Sequence, residues 1–290
     1  MNDINTILTE DEIAELQMLA SEKRTSLFYS NNVPVANGLP MILDKLNIHL
    51  LEYPIKSLNG CNAFSAVILC NRINGRKYTF MGINSANSLT EQCFDIAHEL
   101  YHFFTDNGIK SCSEQENKRD EAKANRFAAE FLLPETALKR ILLDEFNKTS
   151  LHDIDIFVLI RLIARIHCNW WLPYVAIVRR LFETQAISQK QSDALLFPDN
   201  NDYYKYFERI CHALDSDTFL KLNTPTNKIG ISPKNIEIII KNYENDLIDD
   251  NTFIKVLNMF NIDPASFGYD FEICDDDYNE LEEVLEEVDS

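Results

Sequence analysis

The chain changes its period at Ser88. Before that point, residues 48–84 hold three apolar runs, IHLLEY, AFSAVILC and RKYTFMGI, each short enough for a strand. Asn74-Gly75 lies between the second and third. Both residues tolerate positive φ, which makes the pair a strong hairpin signal. After Ser88 the apolar residues recur every three or four positions nearly to the end, the spacing of helices that bury one face. Ser88-Leu-Thr-Glu91 marks the switch itself as a capping box that opens a helix running to about Phe104. The expected fold is therefore α+β and mostly helical, with a small three-stranded antiparallel sheet over 48–84.

Similar signals place the other helices. Thr9 with Glu12 caps a helix over 9–29, whose Ile13, Leu16 and Leu19 share a face. A short helix at MILDKL leads into the first strand. Ser113-Glu-Gln-Glu116 opens a helix that stops before Pro134, and further helices are expected near 135–146, 153–167, 172–186, 202–222, 233–246 and 251–260. Phe197-Pro198 with Asp-Asn-Asn reads as a boundary. The expected organisation is an N-terminal helical segment (1–39), a core domain (40–197), a helical C-terminal region (198–274) and an acidic tail (275–290).

Composition excludes several classes. No run approaches the roughly 18 apolar residues of a membrane span, and MNDINTILTEDEIAEL puts acids where a signal peptide is basic. The expectation is a cytoplasmic chain without a membrane partner. Seven scattered cysteines with no C-x-x-C argue against a disulfide framework and an all-cysteine zinc site. Neither a P-loop nor G-x-G-x-x-G is present. A formal charge of −19 repels phosphate, so no direct nucleic-acid partner is expected. Residues 275–290 hold nine acids and no base, although Leu281, Val284, Leu285 and Val288 fall at helical spacing. Residues 242–251 join two apolar helices as in a helix-turn-helix pair, but the second opens with acids and holds only Lys255. That favours a packing or protein-recognition module over a DNA reader.

One segment carries chemistry: His98-Glu99-Leu100-Tyr101-His102. Residues four apart on a helix share a face, so both imidazoles can address one ion, with Glu99 beside them. Two neutral imidazoles suit Zn²⁺, and a catalytic zinc takes a third protein ligand while keeping a position for water. Downstream, Glu121 begins a small-residue face made by Ala124 and Ala128, on which this helix can pack closely against the first. A carboxylate at that contact can complete a His₂Glu set, with Asp120 and Glu116 as substitutes. Asn125, one turn after Glu121, can accept the second ring N–H of a liganding histidine, and Asp95, one turn before His98, competes for that role. His49, His152, His167 and His212 have no partner at ligand spacing and read as structural. So does Trp170-Trp171.

The hairpin, FDIAHELYH and E-x-x-A-N-x-F-A-A-x-x-L-L-P together resemble the ImmA/IrrE family of zinc metallopeptidases, and LIARIHCNWWLPYVAIVRRLFETQAIS resembles that family's continuation. The resemblance covers roughly residues 40–190. It implies a zincin-like core, Zn²⁺ held by His98, His102 and Glu121, and Glu99 as general base. Its bacterial members are linked to cleavage of helix-turn-helix repressors, which implies a narrow-specificity endopeptidase acting on an intracellular protein regulator. The rival expectation is a peptidase-like protein that sequesters a regulator or toxin without cutting it. Two departures stand out: Tyr101 replaces a small residue before the second histidine, which would narrow the cleft, and Asn169-Trp170 stands where Val-Ser is usual. A bound peptide is expected to pair with the strand at 76–84. Tyr101, Arg179 and Arg180 are the candidates for an oxyanion helper.

Overall fold

In the computed structural model, which describes residues 8–56, 64–73, 75–105, 114–196 and 201–271, Thr9 and Glu12 form the expected reciprocal cap. The Thr9 amide donates to the Glu12 carboxylate at 2.9 Å, and the Glu12 amide donates back to Thr9 Oγ1 at 3.3 Å. They open α1 (Glu10–Ser26), followed by α2 (Leu39–Lys45) and the strands β1 (Ile48–Tyr53), β2 (Ala66–Ile73) and β3 (Arg76–Asn84). The hairpin between β2 and β3 turns through Gly75 at φ 79°, a conformation glycine adopts without strain; Asn74 lies outside the described residues.

The sheet is mixed, not antiparallel. β2 pairs antiparallel with β3 from Ala66↔Ile83 to Ile73↔Arg76, while β1 runs parallel to β3 from Ile48↔Thr79 to Tyr53↔Asn84. Among residues 48–84 the strand order is β2-β3-β1, with β3 between the other two. Apolar runs show where strands are but carry no direction. The long connection between Tyr53 and Ala66 is what allows β1 to join β3 in parallel. Because β3 is paired on both sides, it cannot be the strand that receives a peptide, and that expectation falls. β2 lies at the edge. The Asn84 amide donates to the Ser65 carbonyl at 2.8 Å, so Ser65/Asn84 is a hydrogen-bonded pair. The alternation of antiparallel ladders then makes Ile68/Met81, Cys70/Thr79 and Arg72/Lys77 non-bonded pairs, whose β2 members turn their peptide groups to the free edge.

Among the described residues seven α-helices follow: α3 (Leu89–Thr105), α4 (Glu114–Leu132), α5 (Glu135–Phe146), α6 (Ile156–Trp170), α7 (Tyr174–Glu183), α8 (Gln189–Leu196) and α9 (Asn201–Asn223). The Ser113 cap expected for α4 falls on a residue outside those described. Ile48, Ile68, Met81 and Ile83 are buried on one face of the sheet, where α3 packs. α4 lies against both α3 and α1. Arg24, fully buried on α1, donates to the carbonyls of Phe131 at 2.5 Å, Ser30 at 2.7 Å and Val33, which ties α1 to the end of α4. α9 packs on α6.

The contacts divide the chain between Ile229 and Gly230, beyond the Phe197-Pro198 stretch. α9 packs into the first unit, which is why the division falls after it. The second unit contains a fourth strand, β4 (Gly230–Ile231), and the helices α10 (Pro233–Glu244) and α11 (Asp250–Asn258). Its core gathers around Phe253 and Leu257, with Tyr243 stacked on Phe253 at 4.2 Å. Among the described residues no single helix is long and apolar enough to cross a membrane.

Candidate metal centre

Ser88 and Glu91 start α3 as their spacing predicts: the Ser88 amide donates to the Glu91 carboxylate at 2.9 Å and the Glu91 amide reaches Ser88 Oγ at 3.4 Å. Ile96, Ala97, Leu100 and Tyr101 face the core, which leaves His98, Glu99 and His102 half-buried on the flank. Ala97 on α3 and Ala124 and Ala128 on α4 are completely buried. Side chains this small let the two helices approach closely, and that approach carries Glu121 across to the histidines.

Glu121 Oε2 lies 3.2 Å from His98 Nε2, Glu121 Oε1 lies 3.8 Å from His102 Nε2, and the two Nε2 atoms are 3.4 Å apart. A tetrahedral ion bound at about 2.0–2.1 Å holds its donors roughly 3.3 Å apart, so the three groups already have the spacing of a ligand set. Among the described residues, these three form the group that offers a cation its donors in this way. Asp120 does not reach the cluster as a substitute, and the Glu116 side chain lies outside the described residues.

His98 Nδ1 sits 3.1 Å from Asn125 Oδ1. An amide oxygen there requires Nδ1 to donate, so Nε2 is the nitrogen that faces the cluster, donating to Glu121 when it is protonated and offering its lone pair to a cation when it is not. Asp95 does not compete for that contact. Its carboxyl takes a hydrogen bond from the Asn87 side chain and acts on His98 through charge alone; burial raises its pKa to about 6. Burial opposes charging His98, but the Glu121 hydrogen bond and the charges of Glu121 and Glu99 outweigh it and raise the pKa. The pKa of His102 is lowered by burial and by the neighbouring His98. Glu121 is held low by its hydrogen bond to His98.

Glu99 points the other way, toward the sheet. Its carboxylate accepts a hydrogen bond from the Ile68 backbone amide on β2, and burial raises its pKa despite His98 and that bond. No side-chain pattern announces a backbone donor of this kind, so Ile68 has no signal in the sequence. Asn87, which holds Asp95, was equally invisible.

The other candidates are placed elsewhere. Arg180 is fully buried, donates to the Leu133 carbonyl at 3.1 Å and pairs with Glu130 and Glu183, so its guanidinium is committed to bracing the helices. Tyr101 is 4% exposed and turns toward Phe127, with its edge against His102, so it does not narrow the cleft. His167 is buried between the Leu172 carbonyl (2.7 Å) and Asn223 (2.9 Å), and Trp170 belongs to the core.

Residues 68–181 match the family model described as the IrrE N-terminal-like domain, Peptidase_M78. The match begins at the residue that contacts Glu99, ends in α7, and agrees with the resemblance to the ImmA/IrrE family. No curated protein and no solved structure matches the chain.

Proposed function

We propose that the chain is a zinc-dependent endopeptidase of narrow specificity with a zincin-like core, acting inside the cell on a protein regulator, with a helix-turn-helix repressor as the candidate substrate. The observation that carries the reading is the spacing of His98, His102 and Glu121, at 3.2–3.8 Å, beside a carboxylate whose pKa is raised by burial. The peptidase family match over 68–181 supports it.

His98 Nε2, His102 Nε2 and one oxygen of Glu121 would hold the ion, with Asn125 fixing the His98 tautomer. A bound zinc supplies a Lewis acid and a water whose pKa is lowered toward about 7. Glu99 would serve as the general base toward the attacking water and would pass that proton to the leaving nitrogen. Its raised pKa suits both halves of the transfer, and the Ile68 amide holds the carboxylate in place meanwhile. The peptide lies extended along the free edge of β2 and pairs with the peptide groups that Cys70 and Arg72 turn outward.

Metal analysis combined with cleavage of candidate regulators tests this. Glu99→Gln should keep stoichiometric zinc and lose cutting by a factor on the order of 10²–10⁴. Equal cutting by both proteins removes Glu99 from the role. Tight capture of a regulator without cleavage by the wild type supports sequestration instead.

A further inference from the structure

We propose that the site selects peptides carrying an acidic side chain about four residues from the scissile bond, received by Arg72 and Lys77. The inference rests on the peptidase reading above and adds its substrate class. Ile68 touches Glu99 and so marks the level of the reacting bond on β2. Arg72 lies four residues further along the same strand, about 13 Å at roughly 3.3 Å per residue. Arg72 and Lys77 stand directly opposite one another in the β2–β3 register. Theirs is a non-bonded pair, the closer kind, on the same sheet face as Ile68 and Met81. That face looks toward α3, and Lys77 Nζ lies 5.5 Å from the centre of the Phe103 ring on α3. Both cations are exposed.

Like charges directly opposite in a sheet destabilise it. Here two cations take such a position in a chain with 46 acids and only 27 bases, and Arg76 adds a third cation at the same hairpin. No ion pair engages Arg72 among the described residues. At the centre a bound zinc would offset the charges of Glu99 and Glu121, so the reacting bond itself is near neutral ground for a peptide acid. The attraction is at the hairpin, where the Arg72 guanidinium can bind the acid with two parallel hydrogen bonds. That anchor at one end of the edge strand fixes which bond of a peptide comes to rest over the metal ligands.

The test is digestion of a synthetic randomised 12-residue peptide library by the zinc-loaded full chain, with cleavage sites read by mass spectrometry. Asp and Glu should be enriched about fivefold or more three to five residues from the cut, on one side only. Arg72→Gln with Lys77→Gln should abolish the enrichment at unchanged zinc content, and Arg72→Glu with Lys77→Glu should replace it with a preference for Lys and Arg. Cleavage without acidic preference, or a preference that survives in both double variants, overturns the proposal. In parallel, zinc-loaded Glu99→Gln is applied to the same peptides on an array. Acid-dependent capture that the Gln pair abolishes supports the charge pair even if the wild type cuts nothing, in which case only the peptidase reading fails. Capture indifferent to acids, or no capture, counts against the charge pair.

Discussion

At the scale of single residues, the proposed metal centre needs the Nε2 of His98 free of its proton, and Asn125 Oδ1, 3.1 Å from Nδ1, favours that tautomer. Asn125→Ala should weaken zinc affinity about 10–100-fold, measured by competition with a chromophoric chelator, because the ring loses the acceptor that fixes its tautomer. Asp95→Asn should leave that affinity nearly unchanged, since its carboxyl bonds Asn87 and not the ring. Arg180 offers the opposite contrast. Arg180→Met strands the buried Glu130 and removes one partner of Glu183, so denaturant unfolding should show a loss of about 3–5 kcal/mol with zinc binding intact in the folded fraction. An oxyanion role would instead lower kcat and spare stability.

At the scale of elements, α3 depends on its first turn. Ser88→Ala removes the side chain that satisfies a free helix amide and should cost about 1 kcal/mol by denaturant unfolding. The same chemistry opens α8, where the Ser188 amide donates to Gln191 at 2.9 Å and the Gln191 amide reaches back to Ser188 Oγ at 3.3 Å. The helices expected from the sequence do not include α8, although its S-x-x-Q start is the same kind of box. The junction of α6 with α9 adds a pH dependence. His167 is buried as the neutral ring, and burial lowers its pKa from 6.5 to about 4. Between those values the unfolded chain binds a proton that the folded chain refuses. The stabilisation is thus complete above about pH 6.5 and is lost as pH falls toward 4, amounting to about 3 kcal/mol. Unfolding free energies measured across that window should slope accordingly, and His167→Gln should flatten the slope.

At the scale of the whole molecule, charge governs what the chain meets. The net charge of −19, with α11 opening on Asp249 and Asp250, opposes the approach of duplex DNA phosphates. The 290-residue chain should leave the electrophoretic mobility of duplex DNA unchanged at physiological salt. Retention would overturn the assignment of α10 and α11 to packing or protein recognition.

The sequence by itself determined whatever depends on neighbours a turn or less away: the capping boxes of α1 and α3, the hairpin at Gly75, and the sharing of one helix face by His98 and His102. Helical phase and turn conformation are local properties, and local composition carries them. Spacing also pointed to Glu121 and Asn125, because a small-residue face implies close packing. Only the tertiary structure decided that β1 runs parallel to β3, that β2 is the edge, that Glu99 meets the Ile68 amide, and that Arg180 is locked among carboxylates. These depend on which distant segments bury one another, and on backbone groups that every residue shares, so side-chain identity carries no trace of them.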